Sequence, residues 1–182
     1  MTLSQQDRKT LVTLAHQAVT AKLTGAPLPA PPSPAQGVLA DKLGCFVTLT
    51  NEGMLRGCIG IFQPHGPLAE MVIEMAGEAA VDGRFIWNPI RPSELPELTI
   101  EVSVLSPLVP TADPLSLTIG THGIYIIRGR QGGCFLPEVA TDQGWDAETF
   151  LTQCCSGKAG MASDAWRLPG TQVFLFTSEK FA

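Results

Sequence analysis

Cys45-Phe46-Val47-Thr48-Leu49-Thr50-Asn51-Glu52-Gly53-Met54-Leu55-Arg56-Gly57-Cys58-Ile59-Gly60-Ile61-Phe62 reads as a β-hairpin. Two runs of strand-forming residues flank Asn51-Glu52-Gly53, a turn rich in residues that tolerate positive φ. The second run carries the hexapeptide Leu55-Arg56-Gly57-Cys58-Ile59-Gly60, which sets a thiol two residues after a guanidinium. Each glycine weakens a strand, so Gly57 and Gly60 predict a bend or the close approach of another group.

The same order of elements returns downstream. Ile124-Tyr125-Ile126-Ile127 and Cys134-Phe135-Leu136 flank a loop at 128–133 that holds three glycines. Each hairpin leads into a predicted helix. Pro67 suits a first helical position ahead of Leu68, Met71, Val72 and Met75, and Asp146 is an N-cap ahead of Phe150, Leu151, Cys154 and Cys155. An alternating strand follows each helix, at 99–104 and at 172–176. Cys58 and Cys134 lie 76 residues apart, and Val102 and Phe174 lie 72 apart. This spacing predicts an α+β chain with a largely antiparallel sheet and an internal duplication, 45–105 and 122–177.

Residues 3–23 precede the repeats as a predicted helix. Ser4 and Asp7 resemble a capping box, and Leu11, Leu14, Ala15, Ala18 and Val19 form one apolar stripe. His16 falls off that stripe and reads as a solvated histidine. Residues 27–37 are a proline-rich, extended connector.

Bulk properties exclude several classes of function. The 182 residues fit one compact domain, with 45% hydrophobic and 16% charged residues. There is no apolar run of about 18 residues, so no membrane-spanning helix is expected. The N-terminus lacks the layout of a secretory signal, which points to the cytoplasm. Twelve basic residues against seventeen acidic ones leave a net charge of −5. The nearest approach to a basic cluster is Arg128-Gly129-Arg130, so a nucleic-acid partner is not expected. Five cysteines without a CxxC pair point to free thiols, not a zinc site or a disulfide framework. No Walker A, GxGxxG, HExxH or GxSxG motif occurs, and no cofactor or metal is implied.

Cys58 is the first candidate for chemistry. Residues two apart in a strand share a face, so Arg56 would sit beside the thiol and favour its thiolate. A base would complete such a site, and His122, at a strand start, or His65, before a helix, are the candidates. Glu101 alternates with Ile100 and Val102, so it faces away from their core and can orient a histidine or act as acid or base. Asp82 and Arg84 are close enough to brace a turn as an ion pair, and Arg84 can alternatively present its fork to an anion. Lys158-Ala159-Gly160 reads as a helix stop.

Laid out in this way, the chain resembles the AMMECR-type domain family, whose prokaryotic members are called AmmeMemoRadiSam system protein A. Leu55 to Gly60 matches the family's hallmark. Asp82 to Phe85, Leu98 to Leu105, Gly120 to Gly123, Phe135 to Val139, Gly144 to Asp146, Lys158 to Gly160 and Trp166 match its further motifs. Gly83 stands where the family usually has Pro, and Glu138 where it usually has Gln. The resemblance implies a two-lobed α+β fold with a barrel-like sheet. It also implies a pathway shared with a MEMO-family protein and a radical SAM protein. Two functions are expected from these residues. One is an accessory or adaptor protein that binds a protein or small anionic ligand around Cys58, through Arg56, Gly57, Gly60, Asp82 and Arg84. The other is a thiol-dependent enzyme with Cys58 as nucleophile or carrier, assisted by Arg56 and His122 or Glu101.

Overall fold

The computed structural model describes residues 3–182. The chain divides into two compact units, 3–105 with 179–182, and 106–178. Helices accompany two antiparallel four-stranded sheets, one in each unit, so the α+β expectation holds and the strands form two sheets instead of one barrel-like sheet. No helix among the described residues is long and apolar enough to cross a membrane.

The first unit begins with α1 (Gln5–Thr24). Ser4 caps it: its hydroxyl accepts from the Asp7 N–H, and the Asp7 carboxylate accepts from the Ser4 N–H, closing the predicted capping box. Leu11, Leu14, Ala15, Ala18 and Val19 are buried and His16 is exposed, as the stripe predicts. After the proline-rich stretch come β1 (Cys45–Asn51), β2 (Met54–Ile61), α2 (Leu68–Ala79) and β3 (Leu98–Leu105). The last strand of the chain, labelled β8 (Ser178–Phe181), completes a sheet of order β2-β1-β3-β8. Val47 and Leu49 of β1 and Ile100 and Val102 of β3 are buried with Leu11, Ala15, Leu68 and Val72 of the two helices. Thr48 and Glu101, on the alternate face, are only half-buried.

The hairpin turn is Glu52-Gly53, both at positive φ (48° and 78°), as a two-residue primed turn requires. Counting back from that turn, an unbroken ladder would set Cys58 against Val47, on the helix-covered face. The register instead shifts: Thr50 opposes Leu55, Leu49 opposes Gly57, and Arg56 has no partner on β1. This bulge turns Cys58 to oppose Thr48, on the face away from the helices. Gly57 then faces the end of α2, where an added Cβ would lie 2.1 Å from the Ala79 carbonyl oxygen.

The second unit contains β4 (Val109–Thr111), β5 (Gly123–Arg128), β6 (Gln131–Phe135), α3 (Pro137–Gln143), α4 (Ala147–Gln153) and β7 (Gln172–Phe176), with sheet order β4-β7-β5-β6. Asp146 caps α4 through the Thr149 N–H. The helix runs on into a π-helical turn, Cys154–Lys158, which keeps Cys154 and Cys155 buried with Phe150 and Leu151. The predicted loop at 128–133 is shorter than expected: β6 pairs from Gln131 onward, and Gly129 sits at positive φ in the turn. In each unit the hairpin's first strand is central, flanked by its hairpin partner and by the strand that follows the helices.

Replacing Gly57 with Ala pushes a methyl into the backbone at the end of α2, so Gly57→Ala should cost about 1–3 kcal/mol in urea unfolding. Gly83, with nothing within 4 Å of an added Cβ, is the control and should tolerate Ala within about 0.5 kcal/mol. Equal midpoints for the two variants would contradict the close approach of α2.

Candidate functional site

Cys58 lies on β2, an outer strand of its sheet, so its backbone N–H and C=O point away from β1. Both are taken by one short segment. The Cys58 N–H donates to Asp82 Oδ2 at 3.0 Å, and the Cys58 carbonyl accepts from Arg84 Nη2 at 2.7 Å. Arg84 donates from Nε to Asp82 Oδ1 and Oδ2, and from Nη2 to Oδ2 at 2.5 Å, while its N–H also donates to Oδ1. The Asp82-Gly83-Arg84 turn therefore forms a clasp on one peptide of the hexapeptide.

The clasp is asymmetric in its exposure. The Asp82 side chain is 2% exposed and that of Arg84 59%. Hydrogen bonds from Arg84, aided by those from the Cys58 and Arg84 backbone, hold the Asp82 carboxyl well below the usual carboxylate range against the opposing effect of burial. Arg84 is raised in turn, first by Asp82 and further by the neighbouring Cys58. The ion pair expected to brace this turn is thus present, and it also grips the strand beside it.

Arg56 takes a different course from the one expected. As the bulge residue it is buried, with Nε and Nη2 on Glu94 at 3.1 Å each, Nη1 on the Asn88 carbonyl at 3.1 Å and Nη2 on the Pro89 carbonyl at 3.3 Å. Arg56 lowers the Glu94 carboxyl and ties the 85–97 loop to β2. The cation that hydrogen-bonds to Cys58 is Arg84. Strand alternation sets Arg56 beside the Cys58 thiol only in an unbroken ladder, and the bulge at Arg56 breaks it.

The thiol of Cys58 is half-buried and hydrogen-bonded to the Thr48 hydroxyl at 3.3 Å. Thr48 opposes Cys58 on one side and Glu101 on the other, so the three side chains form a row across β2, β1 and β3. Glu101 reaches Lys180 of β8 at 3.2 Å, which extends the row. Thr48, Glu94 and Lys180 were not singled out from sequence. Thr48 was accessible to a count of hairpin register that allowed for the bulge, whereas the pairing of Lys180 with Glu101 joins positions far apart in the chain.

The remaining expected residues have their own partners. Gly57 is approached by Ala79, and the Phe46 ring lies over Gly60, 2.2 Å from an added Cβ. His122 belongs to the second unit, where its Nδ1 accepts from the Thr118 N–H at 2.9 Å. His65 pairs with Glu74 at 2.9 Å. Burial pushes the Cys45 thiol up to about 12 and that of Cys134 up to about 11, the latter against the pull of Lys158. Burial also raises Cys154 and Cys155. Cys45, Cys154 and Cys155 are buried and Cys134 is half-buried, and all four are shifted away from the thiolate.

A family model described as AMMECR1 matches residues 12–181. A protein of Methanothermobacter thermautotrophicus is 40% identical, covering 98% of this chain and 95% of its own length. One from Thermococcus kodakarensis is 43% identical over 94% of this chain and 87% of its own. Among solved structures, an uncharacterised protein of Pyrococcus horikoshii is similar, with a TM-score of 0.87 and 35% identity over 98% of this chain and 92% of that one.

Asp82→Asn removes the charge that Arg84 and the Cys58 N–H bind, and should cost about 1–3 kcal/mol at neutral pH. Because the folded Asp82 carboxyl is depressed, its contribution is complete above the unfolded value of about 3.9 and is lost as pH falls toward the folded one. Urea midpoints of wild type and variant should therefore converge below about pH 4. A gap that persists unchanged in acid would show that Asp82 acts without its charge.

Proposed function

The chain belongs to the AMMECR1 family, and from that premise we propose that it is an accessory or adaptor protein, not a free-standing enzyme. It holds an anionic group of a protein or small ligand at Arg84, beside Cys58. Its place is the cytoplasm, in a pathway with a MEMO-family protein and a radical SAM protein. The two similarly ordered units derive from one duplicated hairpin, helix and strand.

One observation carries this reading. The Arg84 side chain is 59% exposed, while its Nε and Nη2 are fixed by a buried carboxylate and a carbonyl. A guanidinium held in this way presents its remaining N–H donors at little cost in side-chain entropy. Asp82 neutralises the pair, so recognition rests on directed hydrogen bonds and not on net charge. That favours a ligand which makes further contacts over a free inorganic anion.

A second reading, a thiol-dependent reaction at Cys58, draws support from the Thr48 hydroxyl on the sulfur and the Glu101 carboxylate in the same row. Its weakness is the base. His65 is paired with Glu74, and His122 has its Nδ1 engaged by its own loop.

Association of the full chain with each suspected partner, measured for wild type, Arg84→Lys and Cys58→Ser, separates the readings. Arg84→Lys keeps the charge and loses the fork, and should weaken association about tenfold or more. Cys58→Ser should leave it unchanged. Failure to associate with either partner would remove the pathway assignment. Cellular function lost in Cys58→Ser, with association intact, would favour the thiol reaction.

A further inference from the structure

The loop that Arg56 ties down carries the two most exposed large hydrophobic side chains among the described residues. Trp87 is 96% exposed and Ile86 69%, and Met54 on the neighbouring hairpin is 65% exposed. An indole left in water is unusual, because Trp gains much from burial. The loop is not loose, since Asn88 and Pro89, next to Trp87, are bound through their carbonyls to buried Arg56.

Between this loop and the hairpin tip lies a groove of about 510 Å³. Met54 and Leu55 form its apolar wall on one side and Phe85 on the other. Its lining includes the Arg56–Glu94 pair, which is internally neutral. Glu52 and Glu97 line it as well and have no ion-pair partner among the described residues, and Arg91 is the cation there without one. Glu52 stands at φ 48°, a conformation that Asn or Gly adopts more easily.

We propose that this groove docks a segment of a partner protein in which a lysine or arginine flanks an aliphatic side chain. The aliphatic group packs on Met54, Leu55 and Phe85. The cation is received by the Glu52 and Glu97 carboxylates, opposite charge beside the apolar wall. Two free carboxylates against one free guanidinium, that of Arg91, favour a basic segment over an acidic one. The inference rests on the adaptor reading only in requiring a partner, and it is independent of what Arg84 holds.

The test titrates the isotope-labelled full chain with short peptides carrying Lys-Leu-Lys, Glu-Leu-Glu or Lys-Ser-Lys between Gly-Ser flanks, followed by amide NMR. The Lys-Leu-Lys peptide should shift residues 51–55 and 85–97, and the other two should bind about tenfold more weakly or not at all. Met54→Ala, at a position 65% exposed on the groove's apolar wall, should weaken binding about fivefold or more without loss of fold. Glu52→Asn should weaken binding while raising the thermal midpoint, a pairing that a purely structural role for Glu52 would not produce. Equal binding of the Glu-Leu-Glu peptide, shifts elsewhere, or variants that bind like wild type would overturn the proposal. So would a self-association or a vesicle binding that Met54→Ala abolishes, since either assigns the surface to another occupant. Arg84 is intact in every arm, so loss of partner association in Arg84→Lys and loss of peptide binding here are separate failures.

Discussion

One extra residue in β2 governs the geometry around Cys58. Strand side chains alternate with a period of two, so a single bulge exchanges the faces for everything beyond it. With Arg56 left out of the ladder, Cys58 is turned away from the helices to stand beside Thr48, and Gly57 meets the end of α2. The same step frees Arg56 to leave the sheet and fasten the 85–97 loop. Thiol position, helix approach and loop anchoring are thus consequences of one register shift.

The hexapeptide is consequently two devices placed side by side. Arg56 works outward, organising a loop that carries Trp87 and forms one wall of a groove. Cys58 is held by its backbone, with Asp82 and Arg84 closing on its peptide and leaving its side chain beside Thr48. Sequence motifs of this kind invite a catalytic reading because they unite a thiol and a guanidinium. Here the two groups have different partners, and the guanidinium hydrogen-bonded to Cys58 comes from 26 residues further along.

Much of the fold was legible because its signals are local. The capping box at Ser4 and Asp7, the N-cap at Asp146 and the alternation of β3 each depend on neighbours within a few residues. Helix α3 was missed although Pro137 at its first position and Gly144 after its end are local marks. The π-helical turn at Cys154–Lys158 and the short strands β4 and β8 carry no such marks, since their pairing partners are distant. In the site, Asp82 and Arg84 were visible as a pair, but not the peptide they grip. Glu101 was assigned to the correct face. Gly57 marked an irregularity in β2 but not which residue leaves the ladder, because register depends on packing against α2 and on the buried Arg56–Glu94 contact, neither of which a strand pattern contains.

The clasp has a consequence for the chain in solution. An outer strand normally displays a row of unpaired donors and acceptors on which a strand from another molecule can add itself. At Cys58 both of those groups are already taken by Asp82 and Arg84, with a charged side chain standing at the margin of the sheet. A foreign strand approaching β2 would have to displace an ion pair before making its first ladder bond there. The turn that follows α2 therefore acts as a built-in stopper, limiting the sheet to the strands of its own chain along this edge.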